Sequence, residues 1–283
     1  MLFKNDHVQT QNRLSAAVFD HYTEKQEDRN KAQAKDGYIH HHFGLGPTEI
    51  SPEENDQTAI IDEVQRQENK LTDHLLGLLK VDDYEKPYAV DLGCGRGGNL
   101  FTLLDTYPQV RADGINLTIY QANFCNEQIA LRGLGERSEV RQANFLSIPY
   151  PDNTFTHAYC CEVTQYALDL KDLFVEVERV LAPSGRFVIA TWCYDDAFSE
   201  EELCELIEPI NDHYASTMHS LSTYKEKLAE QGLTLVHEED RTEDLIPYWE
   251  LRKRWDMASG IEDHFLKGHQ ERKLLYYFLV VEK

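Results

Sequence analysis

Residues Tyr88–Gly98 read YAVDLGCGRGG: a short apolar run that stops in a glycine-rich turn. Asp91, Gly93, Gly95, Gly97 and Gly98 directly follow the expected strand. Glycines at this point let backbone approach a ligand held at a helix N-terminus. A lone G-x-G is weak evidence, and a tight strand-to-helix turn without a ligand stands as the alternative. The acidic Asp91 ahead of the first glycine would sit awkwardly beside a pyrophosphate. It suits a ligand with a positive end.

Working outward, strands and helices alternate from about residue 87 to 193. VRADGIN, SEVRQANF, THAYCCEV and RFVIATWC read as strands, while LTIYQANFCNEQIALRGL and DLKDLFVEVERVLAPSG read as helices, the second closed by Pro-Ser-Gly. That alternation predicts βαβ units and a parallel, doubly wound α/β sheet. Residues 199–231 and the stretch 246–270 read as helical, and TLVHEED and LLYYFLVVEK as a final pair of strands. The first third is polar and helical, with Ser51 as N-cap, Pro52 at N1 and Glu54 at N3 of a helix that carries Leu71, Leu75, Leu76, Leu78 and Leu79. The expected organisation is a helical lid and cap over 1–85, a ligand-binding core over 86–195, and cap helices with the last strands over 196–283.

Composition narrows the partners. The chain has 283 residues, 41% of them hydrophobic, a formal charge of −22 and a pI near 4.9. Nucleic acids are bound through Lys/Arg footprints, so this balance argues against a nucleic-acid partner. The six cysteines form no C-x-x-C and suit a reducing compartment. The polar MLFKNDHVQTQNR start has no apolar core of a secretory signal, and no apolar run approaches a membrane span. A cytoplasmic protein with no membrane partner is the expectation; a homo-oligomer is left open.

D-x-G-x-G-x-G after the first strand resembles the signature of the class I S-adenosylmethionine-dependent methyltransferases. The resemblance implies a Rossmann-like fold: a mostly parallel seven-stranded sheet, its last strand antiparallel, under a helical N-terminal lid. GINLTIYQAN resembles the variant after the second strand of the carbon methyltransferases, among them sterol and cyclopropane-fatty-acid enzymes. By that likeness Asn116, Leu117 and Gln121 take the ribose, with Leu117 and Gln121 one helical turn apart. Asn144 and Phe145 of QANFLSIPY fall where the superfamily holds the adenine. Asp91, Gly93, Cys94, Gly95 and Cys161 complete the cofactor set, with Tyr22 of FDHYTEK as a lid tyrosine. A solvated helix residue is the alternative for Gln121, and a plain amphipathic-helix residue for Tyr22.

A narrower resemblance rests on three segments. YIHHHFGLGP (38–47) is similar to the Y-H-H-H-Y-G-I-G segment of geranyl diphosphate 2-C-methyltransferases. PINDHYASTMHSLSTYKEKLAEQGL and the stretch from Asp244 to the end resemble the same enzymes almost throughout. The likeness covers most of residues 38–283 and is weaker across 48–80. It implies transfer of a sulfonium methyl to an alkene carbon of a prenyl diphosphate, in terpenoid biosynthesis, with Mg²⁺ accompanying the substrate. Glu162 of CCEVTQY then matches the active-centre glutamate, as base or as orienter of a water. Tyr214 of INDHY matches an aromatic beside the developing cation. Tyr38, His41, Phe43, Trp192, Tyr248 and Arg252 are the candidate substrate residues, with Arg252, Lys253 and Arg254 together offering positive charge to a diphosphate. Against these stand a capping or ion-pair role for Glu162, plain packing for Tyr214 and a salt-bridged surface helix for the basic cluster. Ile39 and Phe43 stand where relatives carry tyrosines, and Trp192 where they often carry glycine, which suggests a reshaped pocket.

The three consecutive histidines are not read as a metal site. No regular backbone converges His40, His41 and His42 on one ion. Their expected place is the edge of the substrate pocket. Two rival functions remain: methylation of another small molecule, such as an amine or phenol, and a cofactor-binding scaffold without catalysis.

Overall fold

The structure, a computed structural model, describes residues 11, 13–18 and 39–283, apart from the Glu200 side chain. Tyr22 and Tyr38 lie outside the described residues. A 23-residue helix, α1 (Gln57–Leu79), precedes the alternating part. There follow β1 (Tyr88–Leu92), α2 (Gly98–Thr106), β2 (Arg111–Asn116), α3 (Ile119–Leu131), β3 (Val140–Gln142), β4 (Phe155–Cys161), α4 (Leu170–Val180) and β5 (Leu181–Tyr194). The chain closes with α5 (Glu200–Tyr214), α6 (Leu221–Glu230), β6 (Thr234–Asp240), α7 (Ile246–Arg252), α8 (Glu262–Gln270) and β7 (Leu274–Glu282).

The seven strands form one sheet in the order β3-β2-β1-β4-β5-β7-β6. β1 to β5 pair in parallel, and β7 runs antiparallel between β5 and β6. Strand order reverses between β1 and β4. In such sheets ligands bind beyond the carboxyl ends of the strands at that switch. Alternation along β5 shows how the sequence builds two cores. Val188, Ala190 and Trp192 belong to the one that also takes in α1, α2, α5, α7 and α8; Phe187, Ile189 and Cys193 belong to the one under α4 and α6.

Three local expectations are corrected. Ser51 caps no helix: Glu54 N donates to Ser51 O at 3.0 Å, closing a turn, and α1 begins only where Asp56 accepts from Thr58 N at 2.9 Å. Aspartate caps as well as serine, and Asp56 sits directly ahead of the buried stripe Ile60, Val64, Leu71, Leu75. The stretch 246–270 is two helices, because the Glu262 carboxylate accepts from Ser259 N and Gly260 N at 3.0 and 2.8 Å and starts α8 afresh. Helix α4 ends at Val180, so Pro183-Ser184-Gly185 falls within the opening of β5.

Candidate functional site

At the carboxyl ends of β1, β2 and β4 a pocket of about 890 Å³, counting its open mouth, is framed by the glycine loop. Its walls contain Asp91, Gly93, Cys94, Gly95, Asn116, Leu117, Gln121, Asn144, Phe145 and Cys161, the described residues assigned to the cofactor from sequence. Gly93 takes φ +79, a conformation open to glycine at little cost. A Cβ there would also lie 2.6 Å from Val163 Cγ1.

The Asp91 carboxyl is 2% exposed at the end of β1, and its Oδ2 has no hydrogen-bond partner. Burial pushes its pKa up to about 7, with the neighbouring Tyr159 hydroxyl opposing the rise. A buried carboxylate oxygen without a donor fits a ligand that brings a cation, such as the ammonium of an amino-acid tail. Asn116 Nδ2 donates to Gly95 O at 2.9 Å and to Gln121 Oε1 at 3.0 Å, while its Oδ1 accepts from Thr118 N at 2.9 Å. The asparagine therefore joins the glycine loop to the start of α3. Leu117 precedes that helix, whose N-cap is Thr118, so Leu117 and Gln121 do not sit one helical turn apart as expected. Asn144 Oδ1 accepts from Leu146 N at 2.9 Å, which fixes the turn after β3.

Residues 39–42 line one side of the pocket, and His40 and His42 form a buried hydrogen-bonded pair. His42 Nε2 lies 3.2 Å from His40 Nδ1, 3.0 Å from Thr72 Oγ1 and 3.0 Å from Asn99 Oδ1. His42 Nδ1 meets Phe43 O at 2.7 Å, so it carries the proton, and His40 Nε2 meets Asn69 Oδ1 at 2.8 Å. Burial holds His40 down to about 4 and His41 and His42 to about 3. Neutral rings thus anchor the segment on α1 and α2. His41, assigned to the substrate from sequence, lines the same pocket as the cofactor set. Gly44 allows the close approach: a Cβ would lie 2.5 Å from Gln67 Cβ and 2.7 Å from Tyr248 Cδ2.

Glu162 follows β4 with φ 55, a left-handed conformation costing a non-glycine residue about 1–3 kcal/mol. The residue is 6% exposed and lines the pocket. Oε1 accepts from Phe43 N at 3.0 Å and from the Tyr276 hydroxyl at 2.8 Å. Burial drives the pKa up to about 8, against the pull of those two donors; the nearby Glu68 charge pushes the same way as burial. A carboxyl poised near neutrality in a pocket wall can take up a proton.

Behind Glu162 lies a cluster of rings. Phe43 lies 4.6 Å from Trp249, 5.1 Å from Phe265, 6.0 Å from Trp192, 6.1 Å from Tyr248 and 6.3 Å from Tyr276, between ring centroids. Tyr214, at the end of α5, joins at 5.8 Å from Trp192 and 6.1 Å from Phe265. Such faces attract a positive charge. The Tyr248 hydroxyl donates to Glu68 Oε1 at 3.2 Å. Arg252 is buried, 4.4 Å over the Trp255 ring and 3.7 Å from Glu262 Oε1. The basic cluster expected around it does not converge. Lys253 pairs with Asp263, and Arg254 donates to Ser51 O and Glu54 O, since α7 ends at Arg252 and the chain turns after it. Tyr276, Glu68 and Phe265 went unassigned in the sequence. Alternation in LLYYFLVV does place Tyr276 and Phe278 on one face, but nothing local pairs that face with Glu162.

Residues 90–189 match the family model described as a methyltransferase domain. The geranyl diphosphate 2-C-methyltransferase of Saccharopolyspora erythraea is 31% identical over 257 residues, spanning 88% of this chain and 87% of its own. A solved geranyl diphosphate methyltransferase in complex with GPP and sinefungin superposes with a TM-score of 0.89 at 26% identity, covering 95% of this chain and 99% of that one. The Streptomyces coelicolor geranyl diphosphate C-methyltransferase, in complex with Mg²⁺, geranyl-S-thiolodiphosphate and S-adenosyl-L-homocysteine, gives the same TM-score at 27% identity, over 95% and 97% of the two chains. With a relative of that identity matched along nearly its whole length, the chain belongs to the geranyl diphosphate 2-C-methyltransferase family.

Proposed function

We propose that the chain is an S-adenosylmethionine-dependent C-methyltransferase acting on an alkene carbon of a prenyl diphosphate, in terpenoid biosynthesis. The observation that carries this reading is the position of Glu162, which lines the cofactor pocket and whose carboxyl is hydrogen-bonded to two members of the ring cluster. The bound cofactor supplies an electrophilic methyl whose transfer to the π-bond leaves a tertiary carbocation. Phe43, Tyr214 and Tyr248 present ring faces to that charge. Glu162, held near neutrality, takes the proton that restores the alkene. Asp91, with its unpartnered Oδ2, receives the cofactor's ammonium, and Asn116, Gln121, Asn144 and Phe145 hold the nucleoside.

Arg252 serves the diphosphate. Among the described residues no group of three acidic, histidine or cysteine side chains is placed to hold a metal. Mg²⁺ commonly keeps several waters and binds through substrate phosphates, so it would enter with the diphosphate. A division into lid, cofactor core and cap over 1–85, 86–195 and 196–283 belongs to this reading, although β6 and β7 complete the same sheet as β1–β5. So does a cytoplasmic setting, supported by six cysteines without a disulfide.

The test is incubation with methyl-labelled cofactor, Mg²⁺ and prenyl diphosphates, beside amines and phenols. Label should enter prenyl diphosphates. Label in amines or phenols alone would overturn the reading, because those acceptors need no cation stabilisation.

A further inference from the structure

Trp192 is 1% exposed on β5, directly opposite Tyr276 in the β5–β7 register and two residues beyond Ala190, whose carbonyl accepts from Glu162 N at 2.8 Å. Residues 190 and 192 share a face of the sheet. The indole therefore stands beside the tyrosine that binds the candidate base. Its ring meets Phe265 at 5.2 Å, Tyr214 at 5.8 Å and Phe43 at 6.0 Å, all contact separations for aromatic pairs. The rings around Phe43 are themselves in mutual contact, with Trp249 stacked on Phe265 at 4.4 Å. Trp192 thus fills, with a packed ring, the face of the sheet next to Tyr276 and Phe43.

Its polar atom takes no part in holding this arrangement. Trp192 Nε1 is buried and has no hydrogen-bond partner. A buried donor left unpaired is costly, and a phenyl ring would pack without that cost. What the indole adds over a smaller ring is volume. A cavity on the order of 150 Å³ accepts a benzene-sized guest, so the space of one indole corresponds to about one five-carbon isoprene unit.

We propose that Trp192 sets the length of the methyl acceptor and restricts it to the five-carbon prenyl diphosphates. This rests on the prenyl diphosphate reading above and names the member of that class the site takes. A single extra methylene in an apolar pocket changes kcat/KM by about 10–200-fold, so five extra carbons against a filled wall give a large preference.

The experiment compares kcat/KM for isopentenyl, dimethylallyl and geranyl diphosphates, with labelled cofactor and Mg²⁺, in the full chain and in Trp192→Ala and Trp192→Leu. The wild type should favour one of the five-carbon acceptors over geranyl diphosphate by at least tenfold. Each variant should move that ratio toward geranyl diphosphate, Trp192→Ala by at least tenfold, with S-adenosylhomocysteine affinity unchanged. A wild type that prefers geranyl diphosphate overturns the length assignment and leaves the prenyl diphosphate reading standing. Variants that bind S-adenosylhomocysteine and keep the wild-type ratio overturn the role of Trp192. Absence of label from every prenyl diphosphate removes both the inference and the reading beneath it. Should Trp192→Ala not fold, the wild-type ratio and Trp192→Leu decide.

Discussion

The Tyr276 hydroxyl donates to Glu162 Oε1 at 2.8 Å, on the same oxygen that accepts from Phe43 N at 3.0 Å. Strand β7 thereby tunes a carboxyl that sits at the end of β4. Burial has already raised Glu162 to about 8, and the Tyr276 hydrogen bond opposes that rise. Tyr276→Phe removes a donor to the charged form, an interaction worth about 1.5–3 kcal/mol. One pKa unit is about 1.4 kcal/mol, so the pKa should climb by roughly a unit or more. The acid limb of the kcat/KM profile should move to higher pH by that amount. A limb at the wild-type position would mean that Glu162 is not the titrating base.

Glu162→Gln tests the base itself. The amide keeps an oxygen for Phe43 N and Tyr276 but cannot accept the proton from a carbocation. Turnover should fall by roughly 10²–10⁴-fold, the range of general base catalysis. Binding of S-adenosylhomocysteine, which carries no sulfonium charge, should stay within about threefold by calorimetry. Turnover that survives the substitution would leave Glu162 a structural role, holding Phe43 N and the Tyr276 hydroxyl.

Much of this site was legible because it is local. Asp91 and the glycines occupy one strand-turn-helix unit, so the reading at YAVDLGCGRGG puts them at the strand-to-helix turn without tertiary information, while Asn116 was assigned through likeness to a family segment. Glu162 was found only through likeness to a family segment. Tyr276 stayed out of reach because its contact with Glu162 depends on the β5–β7 register, 114 residues along the chain. The basic cluster failed for a different reason. Arg252, Lys253 and Arg254 are adjacent in sequence, but α7 ends at Arg252 and the turn after it sends Lys253 to Asp263 and Arg254 to Ser51 O and Glu54 O. Ser51 met the requirements of a cap, but the cap formed at Asp56, beside the apolar stripe that drives α1 to pack.

Cofactor affinity should depend on pH through Asp91. Its carboxyl, raised to about 7 by burial, is protonated below that value in the free protein and then offers no charge to an ammonium. A bound cation favours the ionised form and lowers the pKa in the complex. Kd for S-adenosylhomocysteine should therefore rise as pH falls from about 8 to 6. Asp91→Asn should bind weakly at both values and show a flatter profile. Equal pH dependence in the wild type and Asp91→Asn would exclude Asp91 as the partner.

The three histidines carry a prediction about stability. His40 is lowered to about 4 and His41 and His42 to about 3, against an unperturbed value of 6.5. Between those limits the unfolded chain binds more protons than the folded one, so stability falls as pH drops below 6.5. Each such group contributes up to about 1.4 kcal/mol per pH unit within that window. Above pH 7 all three are neutral in both states and the contribution is flat. Urea unfolding at pH 5 and pH 7.5 should show the loss in the wild type and a smaller loss in His42→Ala. The variant should also be less stable at pH 7.5, by about 1–3 kcal/mol, because Thr72 and Asn99 lose their shared partner. An undiminished pH dependence in His42→Ala would show that His42 is not among the groups held neutral by the fold.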